Sequence, residues 1–184
     1  MPKTFPGTTI EVTTIEKGSS KKLFDGIFAA GGITLSQVSI MTGLEPYLIQ
    51  NWVKRGFISS PQKRMYSKEQ FARIIIINML REALQIEKIC ELMKIIGGVL
   101  DDPEDDMISD DELYHRYVDM IAEDDLRVSD VQSIENAAKQ ASEDFRERFP
   151  HSKDKLVRIL EVMLYAHSAA TLRKRAEETF STLQ

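Results

Sequence analysis

The chain has 184 residues, 42% hydrophobic and 29% charged, with 24 bases against 29 acids. That length can bury a sizeable core in one or two domains, and the single Cys90 excludes an internal disulfide framework. No run approaches the ~18 apolar residues of a membrane span, and the opening MPKTFPGTTIEV lacks the basic-then-apolar order of a signal peptide, so a cytoplasmic protein is expected.

Residues 1–19 carry two prolines, two glycines and several threonines, the pattern of an arm or a short edge strand. Residues 20–30, SKKLFDGIFAA, predict an amphipathic helix burying Leu23, Phe24, Ile27 and Phe28 and stopped by Gly31 and Gly32. A second helix is expected over Leu35–Thr42. Leu35, Val38, Ile40 and Met41 would pack, leaving Ser36 and Gln37 to reach a phosphate.

After a turn at Gly43, Pro46 suits the first turn of a third helix, because its missing N–H costs nothing there. Gly56 can take the left-handed conformation that ends it. Leu48, Ile49, Trp52 and Val53 form an apolar stripe at helical spacing. Tyr47, Gln50, Asn51 and Lys54 recur at i, i+3, i+4 and i+7 on the other side. That polar stripe holds no carboxylate. Amides can pair with the N6 and N7 edge of adenine, and a lysine with guanine or phosphate. An ordinary solvated helix face would also be polar, but the local charge favours a polyanion site. Between Thr34 and Arg81 there are seven bases and two acids, a net of +5 in a chain of net −5.

The loop SSPQKRM over residues 59–65 favours a turn at Pro61 and places Lys63 and Arg64 near its tip. Phe57 and Ile58 would lead into this wing. Tyr66 would either stack on a nucleic-acid backbone or pack beneath the wing. Ser67, with Gln70 three residues on, predicts a capping box for the next helix. That helix contains four consecutive isoleucines, Ile74 to Ile77, and its flanks FAR and NMLREAL argue for helix over strand.

The residues LSQVSIMTGLEP, LIQNWVKRGFI and MYSKEQFARI together resemble the MerR-type winged helix-turn-helix. Gly43, Trp52, Arg55, Gly56, Tyr66 and Ser67 stand where that pattern expects them, and IEKICELM resembles the helix that follows. The chain as a whole resembles an uncharacterised bacterial family, a domain of unknown function thought to carry this module. The resemblance implies sequence-specific binding of double-stranded DNA by a transcriptional regulator. Tyr47, Gln50, Asn51 and Lys54 would lie in the major groove, with Arg55, Lys63 and Arg64 on phosphates. It departs from the pattern at Gln50, where many such proteins place Arg, and at Glu45, where a better N-cap is expected.

Ile86–Ile96 is the next expected helix, with Cys90 as a buried hydrophobe. Twelve acids then crowd residues 101–125 against the single base Arg116. The segment is not a calcium loop, since Pro103 and Asp106 occupy the third and sixth positions. It reads as a solvated acidic linker, or as a cover for the basic face. Helices are expected over residues 110–122, from a Ser129 cap to Phe145, and from Ser152 to about Phe180. Their apolar positions fit a bundle core, a dimer face or a ligand pocket. His115, His151 and His167 form no HxxxH pair, with His167 expected as a packing residue. No CxxC, Walker loop, GxGxxG or nucleophile elbow occurs.

The expected architecture is all-α with a small β-wing. It comprises an arm (1–19), a winged helix-turn-helix (20–97), and an acidic linker with a C-terminal helical domain for dimerisation or sensing (98–184). The expected protein is a non-enzymatic, homodimeric regulator without cofactor or metal, open to a small-molecule effector. The alternative is a protein-interaction adaptor that reuses the same scaffold.

Overall fold

The computed structural model describes residues 3–98, 100, 102, 104–122 and 130–183. It is mostly helical, with two small antiparallel sheets. In chain order the elements are β1 (Lys3–Thr4), β2 (Glu11–Val12), α1 (Ser19–Ile27), β3 (Ile33–Thr34), α2 (Leu35–Thr42), α3 (Pro46–Lys54) and β4 (Met65–Tyr66). There follow α4 (Lys68–Leu80), α5 (Ile86–Gly97), α6 (Asp110–Ile121), α7 (Val131–Gln140) and α8 (Ser152–Ser181). Among the described residues no helix is long and apolar enough to cross a membrane.

The centre is α4. All four isoleucines from Ile74 to Ile77 are fully buried, so the middle of this helix is covered from every side. α2, α5, α6 and α8 all pack on it, α6 most extensively. Phe24 of α1 adds an aromatic cluster, with ring centroids 5.4 Å from Phe71 and 5.6 Å from Tyr114. Ser67 caps α4 with the expected reciprocal box, and Thr34 caps α2 in the same way with Gln37.

The expected arm is built into the body. β1 and β2 form a hairpin that places Phe5 in the core. The Pro6 carbonyl accepts from Tyr114 Oη at 2.9 Å, and the Gly7 carbonyl accepts from Asn78 Nδ2 at 2.9 Å. A Cβ at Gly7, whose φ is +74°, would lie 2.2 Å from the Ile75 carbonyl oxygen. Glycine is therefore required where this hairpin crosses α4.

The described part of the acidic segment, residues 104–122, is not a solvated linker. Met107 and Ile108 are buried, Arg73 Nε donates to Asp110 Oδ2 at 2.6 Å, and Lys68 Nζ lies 3.1 Å from Asp111. Apolar anchors and countercharges hold the segment against α4. Buried residues form one hydrophobic cluster from α1 through α8 among the described residues.

The strand pairing is β3 with β4, joining Ile33 to Tyr66 and Thr34 to Met65. Two local expectations shift. Ile40 is 74% exposed, because α2 turns Val38 and Thr42 inward. α7 ends at Gln140, well before Phe145. The expected Ser129 cap lies outside the described residues, and Asp130 accepts from Gln132 N at 3.2 Å in that role.

Candidate nucleic-acid interface

α2 and α3 meet at a tight turn fixed by short-range chemistry. Gly43 adopts φ 69°, and Ser39 Oγ donates to the Leu44 carbonyl at 2.6 Å. Asn78 Nδ2 donates to the Thr42 carbonyl at 3.1 Å and so ties the pair to α4. Pro46 begins α3 as expected, and Glu45 stands at its N-cap without a side-chain capping bond.

The two faces of α3 separate cleanly. Ile49 and Trp52 are buried, with Leu48 and Val53 half-buried beside them. Tyr47, Gln50, Asn51 and Lys54 are exposed, Tyr47 at 70%. Asn51 also lines an open groove with Trp52, Arg55, Arg81 and Gln85. Arg55, exposed at the end of α3, stacks 4.5 Å over the Phe57 ring and lies 4.0 Å from Glu87.

The loop after α3 closes on a two-residue turn. Gln62 and Met65 bridge across it, with Met65 N donating to the Gln62 carbonyl at 2.8 Å. Lys63 and Arg64 occupy the turn with φ 49° and 65°. Neither is glycine, so this left-handed pair is strained. Both side chains are exposed and, with Lys54, have no ion-pair partner among the described residues.

Gln70 does more than the sequence suggests. Its Oε1 accepts from Ser67 N at 2.8 Å in the capping box. Its Nε2 donates to the Ser59 carbonyl at 3.0 Å, Ser59 Oγ at 2.9 Å and the Ser60 carbonyl at 3.2 Å. One carboxamide thereby pins the loop to the start of α4. The capping spacing reveals half of this role. The other half joins residues 10 or 11 apart and carries no local signature.

Of the remaining expected contact residues, Ser36 is exposed on α2. Gln37 spends its Oε1 on the Thr34 backbone N–H at 2.8 Å, leaving only its amide NH2 for a phosphate. Tyr66 is 2% exposed, so its ring packs beneath the strand pair instead of stacking on a partner. Burial pushes its hydroxyl pKa up.

Behind the loop lies a cleft of about 470 Å³ between α4 and the acidic segment, lined in part by Ile58, Tyr66, Glu69, Arg73, Asp106 and Asp110. Burial raises the carboxyl pKa values of Glu69, Asp106 and Asp110, the last despite Arg73 alongside it. Cys90 is half-buried, and burial raises its thiol pKa, which disfavours the reactive thiolate. His167 bonds Tyr117 Oη through Nδ1, and burial lowers its pKa.

Residues 33–117 match the model of a family described as Domain of unknown function (DUF1836). The match runs from β3 through α2, α3 and the acidic segment into α6. The chain is also 29% identical over 150 residues to Uncharacterized protein YkrK of Bacillus subtilis (strain 168), which takes in 78% of this chain and 64% of that protein. The aligned region thus spans less than two thirds of that relative's length. No solved structure matches the chain.

Proposed function

We propose that the protein binds double-stranded DNA with base preference, as a cytoplasmic bacterial transcriptional regulator of MerR-like type. One observation carries this reading. Gln50, Asn51 and Lys54 stand free on a carboxylate-free helix face whose opposite side is anchored by Ile49 and Trp52. A helix held so presents hydrogen-bonding groups at fixed spacing and fits the major groove. Tyr47, Gln50, Asn51 and Lys54 read the major groove, and Arg55, Lys63 and Arg64 hold phosphates. A helix this short grips few bases, so two copies on a two-fold site are required. The cleft behind the loop offers a small-molecule effector a place beside the basic turn.

Selection of bound duplexes from a random pool tests the proposal. A recovered motif with two half-sites is the expected result. Binding should also weaken with salt, with a slope of about 0.9 per phosphate neutralised. A pool that stays random, with no salt-sensitive binding, would refute it.

A second reading rests on Ile40 and Tyr47, exposed at 74% and 70% on the same helix pair. Exposed large apolar groups suit a protein partner. On that reading the chain is an adaptor, and its association would be largely insensitive to salt.

A further inference from the structure

The exposed stripe of α3 carries no arginine, and Lys54 is its one cation. The arginines that follow are engaged by other side chains. Arg55 stacks on Phe57, Arg73 is tied to Asp110, and Arg81 Nε donates to Asn78 Oδ1 at 2.9 Å. A bidentate arginine, the commonest specific contact to guanine, is therefore missing from the stripe.

The amides of the stripe are in the opposite position. Elsewhere the fold consumes its carboxamides. Gln37 accepts from Thr34 N, Gln70 holds the loop after α3, and Asn78 donates to the Gly7 and Thr42 carbonyls. The exposed side chains of Gln50 and Asn51 make no hydrogen bond among the described residues. Tyr47, one turn before them, is 70% exposed. It has neither a ring partner nor a hydroxyl partner among the described residues. The N-terminal residues of a reading helix are the ones that meet base edges.

We infer that this face reads neighbouring A·T base pairs, with the Tyr47 ring against a thymine 5-methyl group and the Gln50 and Asn51 amides on adenine. The inference rests on the DNA-binding reading and names the bases that reading leaves open. A free carboxamide sets a donor beside an acceptor, which matches N7 and the N6 amino group of adenine. An aromatic ring gains by covering a methyl group that water otherwise surrounds. Gln50 and Asn51 stand three and four residues after Tyr47. That separation is roughly 5 Å along the helix axis at ~1.5 Å per residue. Base pairs are ~3.4 Å apart, so the thymine and the adenines fall on neighbouring pairs.

Duplexes selected from a random pool, then altered one base at a time, test it by fluorescence anisotropy. The recovered half-site should hold two or more consecutive A·T pairs. Uracil in place of one thymine removes only the 5-methyl group. It should weaken the parent about fourfold, the worth of one buried methyl. At a neighbouring adenine, 7-deazaadenine lacks N7 and should weaken binding roughly tenfold. Tyr47→Ala should bind the thymine and uracil duplexes alike. Tyr47→Phe keeps the ring and should distinguish them as the parent does. Tyr47 is exposed, so both variants should keep the parent's helical circular dichroism. A half-site without consecutive A·T pairs, or uracil duplexes bound as tightly as thymine ones at every position, overturns the inference. So does a Tyr47→Ala variant that still prefers thymine. Each of these results leaves the DNA-binding reading standing, whereas a pool that stays random removes both.

Discussion

Arg73 and Asp110 meet at 2.6 Å with side chains only 12% and 11% exposed, joining the middle of α4 to the first turn of α6. The pair fastens the acidic segment to the helix that also ties down the end of α2 and the loop after α3. It withdraws Arg73 from the basic surface and leaves the outer cations of the loop turn unpaired.

Removing one partner strands the other. Asp110→Ala should cost about 3 kcal/mol of unfolding free energy, because a guanidinium is left buried without its counterion. The double change Arg73→Met with Asp110→Ala should cost clearly less than the two single changes added together. Urea titration of the four proteins measures this. Additive losses would mean that the pair is not energetically coupled.

Contacts to bases and to phosphates should fail differently. Asn51→Ala should lose about 1–3 kcal/mol of discrimination at one base pair. Lys63→Ala should weaken all sequences alike and reduce the salt slope by about 1. Fluorescence anisotropy on the selected duplex and on single-base variants distinguishes them. Equal binding by both variants and the parent would remove these residues from the interface.

The turn at Lys63 and Arg64 sets stability against contact. Glycine takes positive φ without strain, so Arg64→Gly should relieve about 1 kcal/mol of backbone strain and raise the melting temperature. The same change should lower duplex affinity. A variant that gains stability with undiminished affinity would show that the strained cation has no part in binding.

Two half-buried imidazoles give stability a pH dependence of known sign. Burial lowers the pKa values of both His115 and His167 below the ordinary value of 6.5. Asp111 and Asp119 oppose the shift at His115, and Lys68 and Lys21 add to it. The unfolded chain therefore binds protons at a pH where the native chain does not. Stability is full above about pH 6.5 and falls as acidification passes through the lowered folded-state values. Melting temperature should drop between pH 7.5 and 5.5, and His115→Gln with His167→Gln should flatten that drop. An unchanged slope in the double variant would assign the effect elsewhere.

What the sequence made legible was local. The two faces of α3, the Pro46 start, the Gly43 turn and the Ser67–Gln70 box all follow from spacings of a few residues. The burial of the isoleucine run follows from its composition. Ile40 was misread because a helix of two turns gives its apolar positions little power to choose a face. The acidic segment was misread because its countercharges, Lys68 and Arg73, lie some 37 to 43 residues away. The buried side of α8, Leu156, Ile159, Leu160, Met163 and Leu164, also follows from helical spacing.

Gln70 holds a helix cap and a basic loop with one amide. Much of the disorder that the loop can lose is therefore surrendered when the chain folds. On the DNA-binding reading, an anion would meet a loop whose backbone is already held near its final path, and less of the attraction would be spent on ordering it.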